Sequence, residues 1–198
     1  MVIKISLLDC RKLKLEDILQ SKYISDDDKK AIFKCNNEEV RIEKAALTYL
    51  KNKYIGQYFI NSNGKPVSDK CYFNISHSGK IVALAIDTVN VGLDIEQIRH
   101  IDRKFIEYVT SEDELDYIKD DKNFFEVWTN KEALLKAYGT GINKQMKSVP
   151  GLPINGLLTY QNKKYINKTI AYGDYVLTIS RESEEDYSLE IAIVNIDN

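Results

Sequence analysis

The sequence is short of the residues that fix a function by themselves. Its 198 residues include three cysteines, two histidines and one tryptophan. Cys10, Cys35 and Cys71 are odd in number, far apart and without metal-ligand spacing, so reduced thiols in a cytoplasmic protein fit best. No window approaches the roughly twenty apolar residues of a membrane span, and no membrane partner is expected. Residues 1–9 are too short and too interrupted an apolar run for a signal peptide, and they alternate like a first strand. Nor does one sign of charge dominate. Lys and Arg total 28 against 30 Asp and Glu, the net charge is −2 and the pI is about 5.8. The basic stripe of a nucleic-acid binder is missing, so no nucleic-acid partner is expected.

What is present is an ordinary globular chain, 43% hydrophobic. Its length suits one large domain or two small ones sharing an interface. Residues 13–24 have helical spacing, and Ser25-Asp26-Asp27-Asp28 reads as a helix start because Ser and Asp cap free backbone N–H groups. Residues 38–54 form a strong helix. Strands follow at 71–76, 81–87 and 91–96, and their short links suggest an antiparallel meander. Further helices are expected over 102–109 and, from a Ser111/Glu114 capping box, to about Lys119. The longest helix runs from Phe124 to Tyr138 and ends at Gly139, before a loop marked by Gly141, Pro150, Gly151 and Pro153. Four strands, at 157–160, 164–168, 175–181 and 189–195, close the chain. The pattern is α+β, divided into an N-terminal lobe over 1–100 and a C-terminal lobe over 101–198.

Three stretches carry chemistry. In Val91-Gly92-Leu93-Asp94-Ile95-Glu96, side-chain alternation puts Val91, Leu93 and Ile95 on one face and both carboxylates on the other. Neighbouring carboxylates repel, and a hard divalent cation such as Mg²⁺ compensates them; a solvated acidic face is the plainer reading. On the long helix, Glu132 and Lys136 are four apart and share a face, which in isolation describes a common exposed pair. Thr129 with Glu132 also matches a capping box that would start a helix at Lys131. Trp128 is expected in the core, anchoring this helix. In Asn74-Ile75-Ser76-His77-Ser78-Gly79, small hydroxyl residues, a glycine and an imidazole suit a phosphate.

Together, residues 73–79, 91–96 and 128–141 resemble the signature blocks of 4′-phosphopantetheinyl transferases, specifically the longer, monomeric, Sfp-type branch that activates carrier proteins of non-ribosomal peptide and polyketide synthesis. The turn Gly64-Lys65-Pro66 resembles a further block, and residues 30–50 a basic one, although Arg41 is followed by Ile42 and Glu43 in place of a hydroxyl residue. The resemblance implies two similar α/β lobes related by a pseudo-twofold, with coenzyme A in the cleft between them. It implies transfer of the phosphopantetheine arm to a serine of an apo acyl or peptidyl carrier protein, releasing adenosine 3′,5′-bisphosphate. Asp94, Glu96 and Glu132 would hold Mg²⁺ on the coenzyme pyrophosphate, with Asp94, Glu132 and Lys136 as the catalytic set. Ser76 and His77 would contact phosphate, and Arg41, Lys65 and Lys34 would add charge around the adenosine phosphates. Glu132 or a metal-bound water would take the serine proton. A Mg²⁺-dependent phosphohydrolase and a non-catalytic carrier binder are the competing readings.

Overall fold

The computed structural model describes residues 2–62, 64–140 and 146–197. Gly141 of the quoted motifs lies outside the described residues. The first half runs β1 (Val2–Asp9), α1 (Leu15–Leu19), α2 (Asp26–Phe33), α3 (Glu38–Tyr54), β2 (Phe59–Ile60), β3 (Pro66–Val67), β4 (Tyr72–Ser78), β5 (Ile81–Asp87) and β6 (Val91–Gln97). The second runs α4 (Arg103–Val109), α5 (Glu112–Tyr117), α6 (Asp121–Tyr138), β7 (Gly156–Tyr160), β8 (Lys163–Tyr172), β9 (Tyr175–Glu182) and β10 (Ser188–Ile193). The fold is α+β and rich in antiparallel pairing, as expected. Among the described residues no helix is long and apolar enough to cross a membrane.

Local chemistry sets many boundaries. Ser25 and Ser111 each form a complete capping box, with Asp28 and Glu114 respectively. Gly139 adopts a left-handed conformation, φ 97°, and stops α6. The alternative start at Lys131 is not used. Asp120 caps α6 ten residues earlier, and the Thr129 hydroxyl donates back to the Phe125 carbonyl inside the helix.

Two four-stranded sheets form, in the orders β10-β1-β5-β4 and β6-β9-β8-β7, with β2 and β3 as a separate hairpin. The expected meander is corrected here. β4 and β5 pair, but β6 leaves them and pairs antiparallel with β9, placing Asp94 opposite Thr178. The buried Arg181–Asp87 ion pair, at 2.7 Å, and a Glu182 N–H donated to the Asn90 carbonyl pin the chain where it changes sheet. β6 pays out both faces to protein: Leu93 and Ile95 enter a core shared with Ile3, Ile5, Leu177 and Ile179, and the other face receives α6. β10 likewise returns to the first sheet, parallel to β1. The sheets therefore exchange strands across residue 100. Separate apolar clusters lie under α1–α3 and around α6.

Candidate functional site

The two sheets meet at β4 and β6, and side chains join them. Asn74 Oδ1 accepts from Leu93 N at 2.9 Å, Ser76 Oγ donates to Asp94 Oδ1 at 2.9 Å, and Ser78 Oγ donates to Glu96 Oε2 at 2.8 Å. Ser78 Oγ also accepts from Gln97 N at 3.0 Å. Alternation along β4 places all three at one edge.

Opposite this seam, α6 lies on β6. A Cβ at Gly92 would overlap the Ala133 carbonyl oxygen and come within 2.5 Å of the Ala137 amide nitrogen. Only glycine lets helix and strand approach so closely. That approach turns Lys136 onto Asp94. Its ammonium donates to Asp94 Oδ1 at 2.7 Å and to Ser76 Oγ at 3.0 Å. The plainer alternatives, a solvated acidic face and an exposed Glu–Lys pair, do not hold for Asp94 and Glu132, which are each 4% exposed.

Burial pushes the Asp94 carboxyl up, against the pull of Lys136. Glu132 rises to about 7, through burial first and then the Asp94 charge, with Lys136 opposing and Glu96 adding a smaller push. The three carboxylates, from two distant segments, thus sense one another. Asp94 Oδ2 and Glu132 Oε1 are buried and find no hydrogen-bond partner among the described residues. Such hard oxygen donors suit Mg²⁺. As they stand, though, no three Asp, Glu, His or Cys side chains among the described residues form a ready metal cage; Lys136 supplies the positive charge.

The other expected contacts are differently placed. Half-exposed His77 sets Nδ1 3.2 Å from Glu43 Oε2. Lys65 Nζ donates to the Lys136 carbonyl at 2.7 Å, capping the end of α6, and its pKa is lowered by burial. Arg41 Nε donates to the Cys35 carbonyl at 2.6 Å and its guanidinium lies over Phe33, while Lys34 is exposed. Trp128 is half-buried, stacked on Phe124 and tilted against Phe105, as an anchor of α6. A cleft of about 230 Å³ opens beside the end of α6, lined in part by Lys65, Pro66, Tyr72, Asn90 and Tyr138.

Some participants escaped sequence reasoning. Asn74 and Ser78 stand two residues either side of Ser76, so strand alternation carried a signal for them. Lys131 is wholly buried. It pairs with Glu114 at 2.6 Å and donates to the Val109 and Met146 carbonyls. Glu114 also accepts from Gly151 N and Ser111 N, so one carboxylate ties α5, α6 and the following loop together. No local signal pairs residues 114 and 131.

Two antiparallel-rich sheets, joined through a buried carboxylate–lysine–serine cluster, define an α+β protein with its ionic site at the sheet junction. A family model described as the 4′-phosphopantetheinyl transferase superfamily matches residues 90–192, and the chain belongs to that superfamily. It is 36% identical over 119 residues to 4′-phosphopantetheinyl transferase gsp of Aneurinibacillus migulanus, covering 57% of this chain and 46% of the relative. It is 39% identical over 95 residues to psf-1 of Bacillus pumilus, covering 43% and 41%. Against Sfp of Bacillus subtilis (strain 168) the identity is 34% over 83 residues, covering 39% and 37%. The matches thus span about half the length of these relatives or less.

Proposed function

We propose that this chain transfers the 4′-phosphopantetheine arm of coenzyme A to a serine of an apo acyl or peptidyl carrier protein, releasing adenosine 3′,5′-bisphosphate in a Mg²⁺-dependent reaction. It does so as a cytoplasmic monomer whose two lobes hold the coenzyme between them. The observation that carries the reading is the buried Asp94 carboxylate, bonded by Lys136 and close enough to Glu132 to raise its pKa, with an oxygen of Asp94 and one of Glu132 left unpartnered among the described residues. Membership of the superfamily supports the same reading.

Phosphate transfer asks a protein mainly for position and charge. Asp94, Glu96 and Glu132 would supply the oxygen donors for Mg²⁺, which when bound would neutralise the pyrophosphate and make the bisphosphate a better leaving group. Lys136 turns from Asp94 towards the leaving phosphate. Glu132, or a water on the metal, would take the carrier serine's proton. Ser76 holds Asp94 and Lys136 in register, and its hydroxyl would contact phosphate. His77, Lys65, Arg41 and Lys34 line the approach of the adenosine phosphates; His77 and Lys65 exchange their present partners, Glu43 and the Lys136 carbonyl, for the coenzyme.

The test is to incubate the protein with coenzyme A, Mg²⁺ and an apo carrier and to weigh the carrier. A gain of one phosphopantetheine is the expected result. Coenzyme breakdown without labelling would point to a phosphohydrolase, and tight coenzyme binding without turnover to a carrier-binding module; either outcome sinks the transferase reading.

A further inference from the structure

Between α6 and the second sheet lies a layer of polar side chains that the proposed chemistry does not use. Thr129, Asn130, Asn167 and Thr178 are all wholly buried. Asn130 Nδ2 donates to the Glu126 carbonyl at 2.9 Å and to Thr169 Oγ1 at 2.6 Å, and its Oδ1 accepts from Asn167 Nδ2 at 2.7 Å. The hydroxyls of Thr129 and Thr178 lie 2.8 Å apart, as do those of Thr169 and Thr178. Thr178 is the cross-strand neighbour of Asp94, and Thr169 is the next residue along the same row on β8. The layer thus runs from directly beside the acidic cluster to Asn167 on β8.

Burying so many polar atoms brings no advantage over an apolar layer unless direction matters. Apolar contacts are non-directional and let a helix turn or slide on a sheet. An amide fixed at both its donor and its acceptor allows one orientation. Glu132 lies two residues beyond Asn130 on the same rigid helix, and Lys136 one turn further. Turning α6 by about 20° would move a side-chain tip by roughly 2 Å, given a helix radius of about 5–6 Å with side chains. A misplacement of about 1 Å at a reacting centre can cost on the order of a hundredfold in rate.

We propose that Asn130 is a positioning residue: held by Asn167, Thr169 and Thr178, its side-chain amide sets the rotation of α6 on the sheet and hence where Glu132 and Lys136 stand against Asp94. The kinetic side of this inference rests on the transferase reading. The geometric side does not.

The experiment is the double variant Asn130→Leu/Asn167→Leu, which removes the amide–amide bond from both sides and leaves Thr169 Oγ1 its bonds to the Ile154 carbonyl and Thr178, so stability is largely kept. Expected are a melting temperature close to that of the wild type, a kcat lowered at least roughly tenfold and a KM for coenzyme A within about threefold. A crystal structure of the ligand-free double variant should show Lys136 Nζ displaced by about 1 Å or more from its 2.7 Å contact with Asp94 Oδ1. An unmoved contact with kcat within about twofold of wild type overturns the proposal. If the double variant does not fold, Thr178→Val and Thr178→Ser carry the same two measurements. Valine should reproduce the displacement and serine, which keeps the hydroxyl, should restore the wild-type geometry and rate; equal behaviour of the two overturns the proposal. A wild type that labels no carrier would remove the transferase reading, while the Lys136–Asp94 distance would still decide this one.

Discussion

Gly92 on β6 and Ala133 on α6 touch backbone to backbone, with no room for a methyl group between them. The site depends on that contact, because it brings one helix face within reach of one strand face. Gly92→Ala must push the two apart. Overpacking of this kind costs roughly 1–3 kcal/mol, and in a domain of this size each kcal/mol lowers the melting temperature by about 2–4 °C. A thermal melt checks this, and carrier labelling should fall further than the loss of folded protein explains. An unchanged melting temperature would show that helix and strand can separate freely.

Asp94→Asn keeps the shape of the side chain and removes its charge. Lys136, with 26% of its side chain exposed, can turn to solvent, so the fold should survive. The rate should fall by about a hundredfold or more, in the range seen when a preorganised charge is lost from an active site. Activity at the wild-type level would remove Asp94 from the chemistry.

Lys136→Ala should lower kcat more than it raises the KM for coenzyme A, provided the ammonium acts mainly on the leaving phosphate as the bond breaks. Equal changes in the two constants would make it a ground-state clamp only.

In the metal-free protein, stability should fall as pH rises from about 4.5 to about 7. Folded Glu132 keeps its proton up to about pH 7, whereas the unfolded side chain loses it near 4.5. Between those values the folded state binds more protons, so the slope is negative, and it vanishes on either side. Asp94, also raised by burial, adds to it with the same sign. At about 1.4 kcal/mol per pKa unit, the Glu132 contribution is on the order of 3 kcal/mol. Melting temperatures at pH 4.5 and 7.5 in a chelating buffer measure most of it, and Glu132→Gln should flatten the difference. Equal slopes in wild type and variant would refute the assignment.

Lys131→Met leaves the Glu114 carboxylate charged and buried. Breaking a buried pair from one side costs about 3–5 kcal/mol. A chemical-denaturation midpoint reads the loss, and adding Glu114→Gln should recover part of it, since it removes the unpaired buried charge while its one carbonyl oxygen still accepts from either Ser111 N or Gly151 N. No recovery in the double variant would mean that the lysine stem, rather than its charge, supports α6.

What the sequence revealed follows the range of each interaction. Caps at Ser25 and Ser111 and the stop at Gly139 act over a few residues, and each appears as expected. Strand alternation separated Asp94 and Glu96 from Leu93 and Ile95. Strand partners are another matter. β6 pairs with β9 some eighty positions away, and three short-linked strands look alike whether or not the third joins its neighbours. The same holds for side chains. The acidic residues and Lys136 stood out because they form recognisable blocks, whereas the Glu114–Lys131 pair and the Asn130–Asn167 bond join residues that no spacing rule connects.

At the junction of β4 and β6, serine and asparagine side chains do what backbone ladders do within each sheet. A backbone ladder has one spacing, the same for every sequence. A junction made of side chains has a gauge that mutation can reset, since exchanging serine for threonine or asparagine for aspartate changes its width or charge while leaving both sheets intact. The distance between the halves of this molecule is therefore a heritable variable, open to selection one residue at a time.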